Sequence, residues 1–139
     1  MLMRRFHEAK VAGETTVTVW GTGDPRRELM HVDDLASACL FLMRRDDRPE
    51  LINVGTGVDQ PVRTIAESVR DVVHPAAELH YDTAKPDGMR RKVLDVSRLH
   101  ALGWHHAVEL QEGFRATYDW YVSSDRVRGR QRVTTTAAV

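Results

Sequence analysis

Apolar positions along the chain switch between a helical and an alternating period. Leu2, Phe6 and Ala9 share one helical face over residues 2–12, and Gly13 supplies the stop. That helix opens with no cap and no preceding strand, so it reads as the continuation of an absent element. Thr16 to Trp20 alternates β-branched residues and predicts a strand closed by Gly21. Leu29 to Val32 predicts a short strand running into a helix that Asp33 caps, with Asp34 beside it at the positive end of the helix dipole. Leu35, Cys39 and Leu42, with Ala38, form its core-facing stripe, and Pro49 keeps it from running on. Leu51 to Val54 predicts another strand, leaving through Gly55-Thr56-Gly57. Val62, Ile65, Val69 and Val72 mark the buried stripe of a helix opening at Pro61 and ending at His74-Pro75. Glu78 to Asp82 predicts a strand, and Asp95 caps a short helix from Val96 to Leu102. Trp104 opens a linker, and Leu110, Phe114, Tyr118 and Tyr121 mark a last amphipathic helix.

Strands alternating with helices imply an α/β architecture with some parallel pairing, and the strands are too few for a complete doubly wound sheet. Residues 1–125 form the domain; residues 126–139, rich in Arg and Thr without a periodic apolar face, read as a disordered tail. The 139 residues suffice for one real core. Lys+Arg and Asp+Glu balance at 20 each, which argues against a nucleic-acid partner. The single cysteine, Cys39, excludes an internal disulfide framework, suits a reducing cytosol and reads as a small core residue. The opening MLMRRFHEAK is no signal peptide, and no run reaches the roughly 20 apolar residues of a membrane span. A cytoplasmic domain without a membrane partner is expected.

Candidate chemistry concentrates in two arginine-bearing loops. In the first, Trp20 is followed by a glycine-bracketed turn carrying Pro25, Arg26 and Arg27; in the second, Thr83 to Lys92, four cations surround Pro86-Asp87-Gly88. Each is either a clamp for a phosphorylated or sugar-bearing ligand or a solvated turn. Neither glycine turn is a dinucleotide cradle, because Gln60 stands where the third glycine of the Gly55 turn belongs and Arg26 where that of the Gly21 turn belongs. No serine occupies a strained elbow, the seven histidines lack ligand spacing, and the tyrosines are read as outside any Tyr-x-x-x-Lys pair. Asp33 and Asp34 read as a helix start rather than a carboxylate pair. Spacing alone gives no catalytic constellation.

The stretches RRFHEAK, VTVWGTGDPRRELMHVDDLA, LINVGTG, KPDGMRRKVLDVSRLHALGW and ELQEGFRATYDWY carry a resemblance. Together they resemble the C-terminal half of the GDP-L-fucose synthase family, which are extended short-chain dehydrogenase/reductases. The resemblance implies the substrate-binding portion of such an enzyme, with an incomplete Rossmann-type sheet. The full-length family is NADP-dependent and homodimeric, and turns GDP-4-keto-6-deoxy-mannose into GDP-fucose by epimerising C3 and C5 and reducing C4. Arg5, Trp20, Arg27 and Arg91 match the family's substrate-binding positions, with Lys85 a weaker candidate. The family's glycine turn, its Ser and Tyr-x-x-x-Lys reduction set and its Cys and His of epimerisation have no match here, and Cys39 does not correspond to the family's cysteine. No NADP is therefore expected on this chain alone, and an N-terminal half is expected elsewhere. Met89-Arg90 replaces the family's usual Thr-Pro, which leaves open whether Arg90 or Arg91 faces ligand. The alternatives are a non-catalytic sugar-nucleotide or partner module, or a truncated product. In that last case the stripes at Leu35/Cys39/Leu42 and Val62/Ile65/Val69 lack their sheet and drive association.

Overall fold

The computed structural model describes residues 2–47 and 49–124, so the tail expected to be disordered lies outside the described residues. Helix α1 (Leu2–Ala12) leads through Gly13, in the left-handed region at φ 72°, to β1 (Thr16–Trp20). Then follow β2 (Arg26–Glu28), α2 (Val32–Met43), β3 (Asp59–Pro61), α3 (Val62–Val73), β4 (Glu78–Asp82), β5 (Arg91–Lys92), α4 (Ser97–Ala101) and α5 (Leu110–Ser123). The strands form two small sheets. β1 and β4 pair in parallel, with Thr16 opposite Glu78 and Trp20 opposite Asp82. β2 sits between β3, antiparallel, and β5, parallel. An α/β architecture with partial parallel sheets is what the pattern of alternating elements implied.

Two cores hold these layers. Phe6 and Ala9 of α1, Val17 of β1, and Val69 and Val73 of α3 close the first, with Phe114 and Tyr118 of α5 packed against it. Phe6 is fully buried, which removes roughly 1.5–3 kcal/mol of apolar side chain from water. Ala38 and Leu42 of α2, Leu99 of α4 and Trp104 form the second, with Met30, Ile52 and Val54 at its border.

Several sequence expectations are corrected here. The strand expected at Leu29–Val32 forms at Arg26–Glu28, because β3 and β5 offer their ladders there; Met30 instead packs into the second core. Leu51–Val54 forms no strand, since no neighbour pairs with it among the described residues. Its Ile52 and Val54 pack into that core, and the Asn53 amide donates to the Asp95 carbonyl. The α2 cap is His31, whose Nδ1 accepts from the Asp33 N–H, while Asp33 itself is exposed. Asp34 turns inward, 4% exposed, and its carboxylate accepts from the Ala107 and Val108 amides at 3.0 and 3.1 Å. Trp104 opens no free linker; its ring is buried and its Nε1 donates to Ser37 Oγ.

The expected α2 stripe is also rotated. Asp34, Ala38 and Leu42 face the core, while Leu35 and Cys39 face out with Val32, Ala36 and Met43. Cys39 is therefore exposed, not a core residue. The α3 stripe, in contrast, is covered within the chain by α1 and α5. The N-cap of α4 is Val96 rather than the expected Asp95, which sits one residue earlier and accepts through Oδ1 from the Ser97 N–H at 3.0 Å.

Candidate functional site

Trp20 ends β1 with its ring 60% exposed. Alternation explains this: Val17 and Val19 point into the core, so Trp20 points away from it. The Arg5 guanidinium from α1 lies 5.1 Å from the ring centroid and donates to the Thr18 carbonyl at 3.0 Å. Lys85 Nζ, from the second loop, lies 5.9 Å from the same centroid. Residues 15 and 65 positions away thus bring two cations to one aromatic.

The glycine turn after Trp20 is tied to the second loop. Asp87 accepts from the Thr22 N–H at 2.7 Å and from its hydroxyl at 2.8 Å. A Cβ at Gly21, already at φ 82°, would run into that carboxylate. From α3, Arg63 fixes the other side by donating to the Thr22 carbonyl at 2.7 Å.

On the second sheet, strand alternation separates the arginines. Arg26 and Arg91 are register partners on one face, where both bond Asp59: Arg26 Nε at 2.8 Å, Arg91 Nε at 2.7 Å and Arg91 Nη2 at 3.0 Å. Asp59 is buried, and Arg91, then Arg26, holds its carboxyl well below the usual carboxylate range. Arg27 leaves the sheet on the opposite face beside Gln60. The structure thus brings Arg5 to Trp20 directly and sets Arg27 and Arg91 on opposite sides of β2.

Two hollows border this strand. One, of about 840 Å³, is lined by Arg26, Arg90 and Arg91 with Asp24, Asp87 and Gly88. Arg90 has no ion-pair partner among the described residues, so it is the less committed of the two neighbouring arginines. The other, of about 590 Å³, is mostly apolar and carries Arg27 at its edge. Arg27 Nη2 reaches within 4.0 Å of where a Cβ on Gly88 would sit, which places this guanidinium between the two hollows.

The second glycine turn is closed from within. Glu28 accepts from the Thr56 and Gly57 amides at 2.6 and 2.7 Å through one oxygen and from the Leu94 amide at 2.7 Å through the other. With Asp87 on the first turn, each glycine turn has a carboxylate on its amides. The sequence reading missed both. The available signal was an acid in or beside each arginine-bearing stretch, Asp87 within the second loop and Glu28 directly after Arg27, where donor-rich turns need an acceptor.

One sequence expectation about the tyrosines is wrong as stated. Lys85 does stand four residues after Tyr81. The spacing pairs two side chains only on a helix; Tyr81 lies in β4, and Lys85 follows a turn closed by its N–H to the Asp82 carbonyl. The Tyr81 hydroxyl is buried without a hydrogen-bond partner, and its ring lies under Arg63 at 4.3 Å, while Lys85 faces Trp20. Burial raises the Tyr81 pKa against the Arg63 charge. No acid–base pair results.

The exposed aromatic–cation cluster thus stands at the end of the parallel β1–β4 pair, and the arginines Arg26, Arg27 and Arg91 on the mixed β3-β2-β5 sheet. A profile of the NAD dependent epimerase/dehydratase family matches residues 1–55. The chain is 34% identical to a solved GDP-mannoheptose C4 reductase from Campylobacter jejuni with NADP bound, at a TM-score of 0.74 over 88% of this chain and 43% of that one. In sequence and fold the chain is thus similar to the extended short-chain dehydrogenase/reductases. Among its relatives are GDP-L-fucose synthases: one from Arabidopsis thaliana, 51% identical over 88% of this chain, and that of Escherichia coli K12, 45% identical over 92%. The chain spans only 38% and 43% of those two proteins. The described residues do not fit an NADP cradle, because Glu28 and Asp87 already take the amides of the two glycine turns. Among them no helix is long and apolar enough to cross a membrane.

Proposed function

We propose that this chain is the sugar-nucleotide-holding portion of an NADP-dependent GDP-L-fucose synthase, and that it is inactive alone. The observation that carries this reading is Trp20, an exposed ring flanked by Arg5 and Lys85. A flat aromatic takes a base or sugar face, and guanidinium groups take a diphosphate. Arg5 and Arg27 approach the diphosphate; Arg91, held by Asp59, backs the same loop, where Arg90 adds free charge. Epimerisation at C3 and C5, reduction at C4 and the NADP belong to the part of the enzyme outside this span. The whole enzyme is a cytoplasmic homodimer on this reading.

Titration calorimetry tests it. GDP and GDP-mannose bind the chain, and Trp20→Ala, which removes the stacking face, or Arg27→Ala, which removes a charge-assisted contact of about 1.5–3 kcal/mol, weakens binding about tenfold or more. Arg91→Ala is read beside a melting curve, since it also frees Asp59. No heat with any GDP-sugar, or binding indifferent to Arg5, Trp20 and Arg27, overturns the reading.

A further inference from the structure

Residues 86–89 of the second loop make no backbone–backbone hydrogen bond among the described residues. Their hydrogen bonds to the rest of the chain are those of the Asp87 carboxylate, which takes the Thr22 N–H on one oxygen and the Thr22 hydroxyl on the other. Thr22 is itself engaged at every polar atom. Its hydroxyl also accepts from the Asp24 N–H at 3.1 Å, and its carbonyl accepts from Arg63 of α3. Asp87 thus fastens the loop to a residue already held from two other directions. Pro86 stands between Asp87 and Lys85; its ring fixes one of its own backbone angles and narrows those of Lys85 before it. Lys85 carries the loop's contact with the Trp20 ring, at the end of a flexible four-carbon stem.

We propose that Asp87 is a positioning residue of the ligand seat: anchored on Thr22 and acting through Pro86, it sets Lys85 against the Trp20 ring, so that the ring has a cation on two flanks before any ligand arrives. The inference rests on the proposed function for what occupies that seat. Arg5 does not depend on the clasp, because the Thr18 carbonyl of β1 holds its guanidinium. Lys85 does, and without Asp87 an arriving diphosphate would have to order the loop as it binds, at a cost in conformational freedom. Charge alone predicts the opposite sign. A carboxylate beside a diphosphate repels it, so an Asp87 that acted only as a charge would weaken binding, and its removal would tighten it.

Two measurements on the full chain test the proposal. NMR reads the ring-current shift that Trp20 imposes on the Lys85 side-chain protons, with Trp20→Ala as the zero. The shift disappears in Asp87→Ala and persists in Asp87→Asn, whose amide oxygen still accepts from the Thr22 N–H. Thr22→Val, which leaves the loop's own sequence intact, reduces the shift, and Thr22→Ser keeps it. A full shift in Asp87→Ala or in Thr22→Val overturns the proposal, whether or not a ligand binds. Titration calorimetry with GDP-mannose supplies the second arm. Asp87→Ala weakens binding about fivefold, Lys85→Ala does the same, and the double variant weakens it no further, as for two residues acting through one contact. Tighter binding by Asp87→Ala, or losses that add in the double variant, overturns the proposal. No heat from the unmutated chain sinks the functional reading instead, and the Lys85 shift then decides the clasp by itself.

Discussion

Helices α2 and α3 are each 12 residues long and lie in the same small domain, yet they meet their surroundings differently. α3 buries Ile65, Ala66, Val69 and Val73 and turns Arg63, Glu67, Arg70 and Asp71 outward or sideways. α2 buries Ala38 and Leu42 on one side and shows solvent a second apolar side. An amphipathic helix needs one partner layer, whereas a helix apolar all round is shaped for two. α3 finds its layer in α1 and α5; α2 finds only half of its own.

The largest expected difference is between two matched truncations. Ile65→Ala in α3, 7% exposed, costs about 2–4 kcal/mol, whereas Leu35→Ala in α2, 43% exposed, stays within about 0.5 kcal/mol. Urea denaturation of the chain alone measures both, and equal losses would break the comparison. Next comes Asp34→Ala, on the inward side of α2. It leaves the Ala107 and Val108 amides without their acceptor and costs about 1–3 kcal/mol. If Asp34 were only a helix-start charge, the loss would instead be a few tenths. The smallest effect concerns β2, which depends on neither helix. Since the folded pKa of Asp59 is depressed, the unfolded chain takes up the proton first as pH falls. Its contribution is whole above about pH 4, the ordinary carboxylate value, and is lost as pH drops toward the folded pKa. Melting temperatures between pH 7 and pH 2 should show that acid-side loss, and Asp59→Asn should flatten it; an unchanged slope would sink the assignment.

What could be read from the sequence was what is encoded locally. β1, β4, α1 and α3 follow from period and punctuation: Thr16–Trp20 alternates, Gly13 stops α1, and the α3 stripe repeats every three to four residues. The errors fall where distant residues decide. β2 exists because Asp59–Pro61 and Arg91–Lys92 come alongside it, which no local pattern announces. Leu35, Cys39 and Leu42 fit one stripe on spacing, but a helix apolar on two sides gives periodicity no unique phase. Asp34 looked like part of a helix start beside Asp33 because that is the common fate of such a residue, and the amides that donate to it come from more than 70 positions onward. The site divides in the same way. Trp20 and Arg5 were picked out from separate segments and do meet. Arg27 and Arg91 were picked out together, and strand alternation sends them to opposite faces.

The filling of both glycine turns by Glu28 and Asp87 has a consequence for competition among anions. Backbone amides fixed in a turn can bind a phosphate even in concentrated salt, because the seat is shaped in advance. Here those seats are already taken by covalently attached acids, at an effective concentration no dissolved ion matches. An arriving phosphate is left with flexible side-chain cations at the surface, where attraction is screened within about 10 Å at 0.1 M ionic strength. Whatever anion this chain holds, its grip should therefore loosen steeply as ionic strength rises.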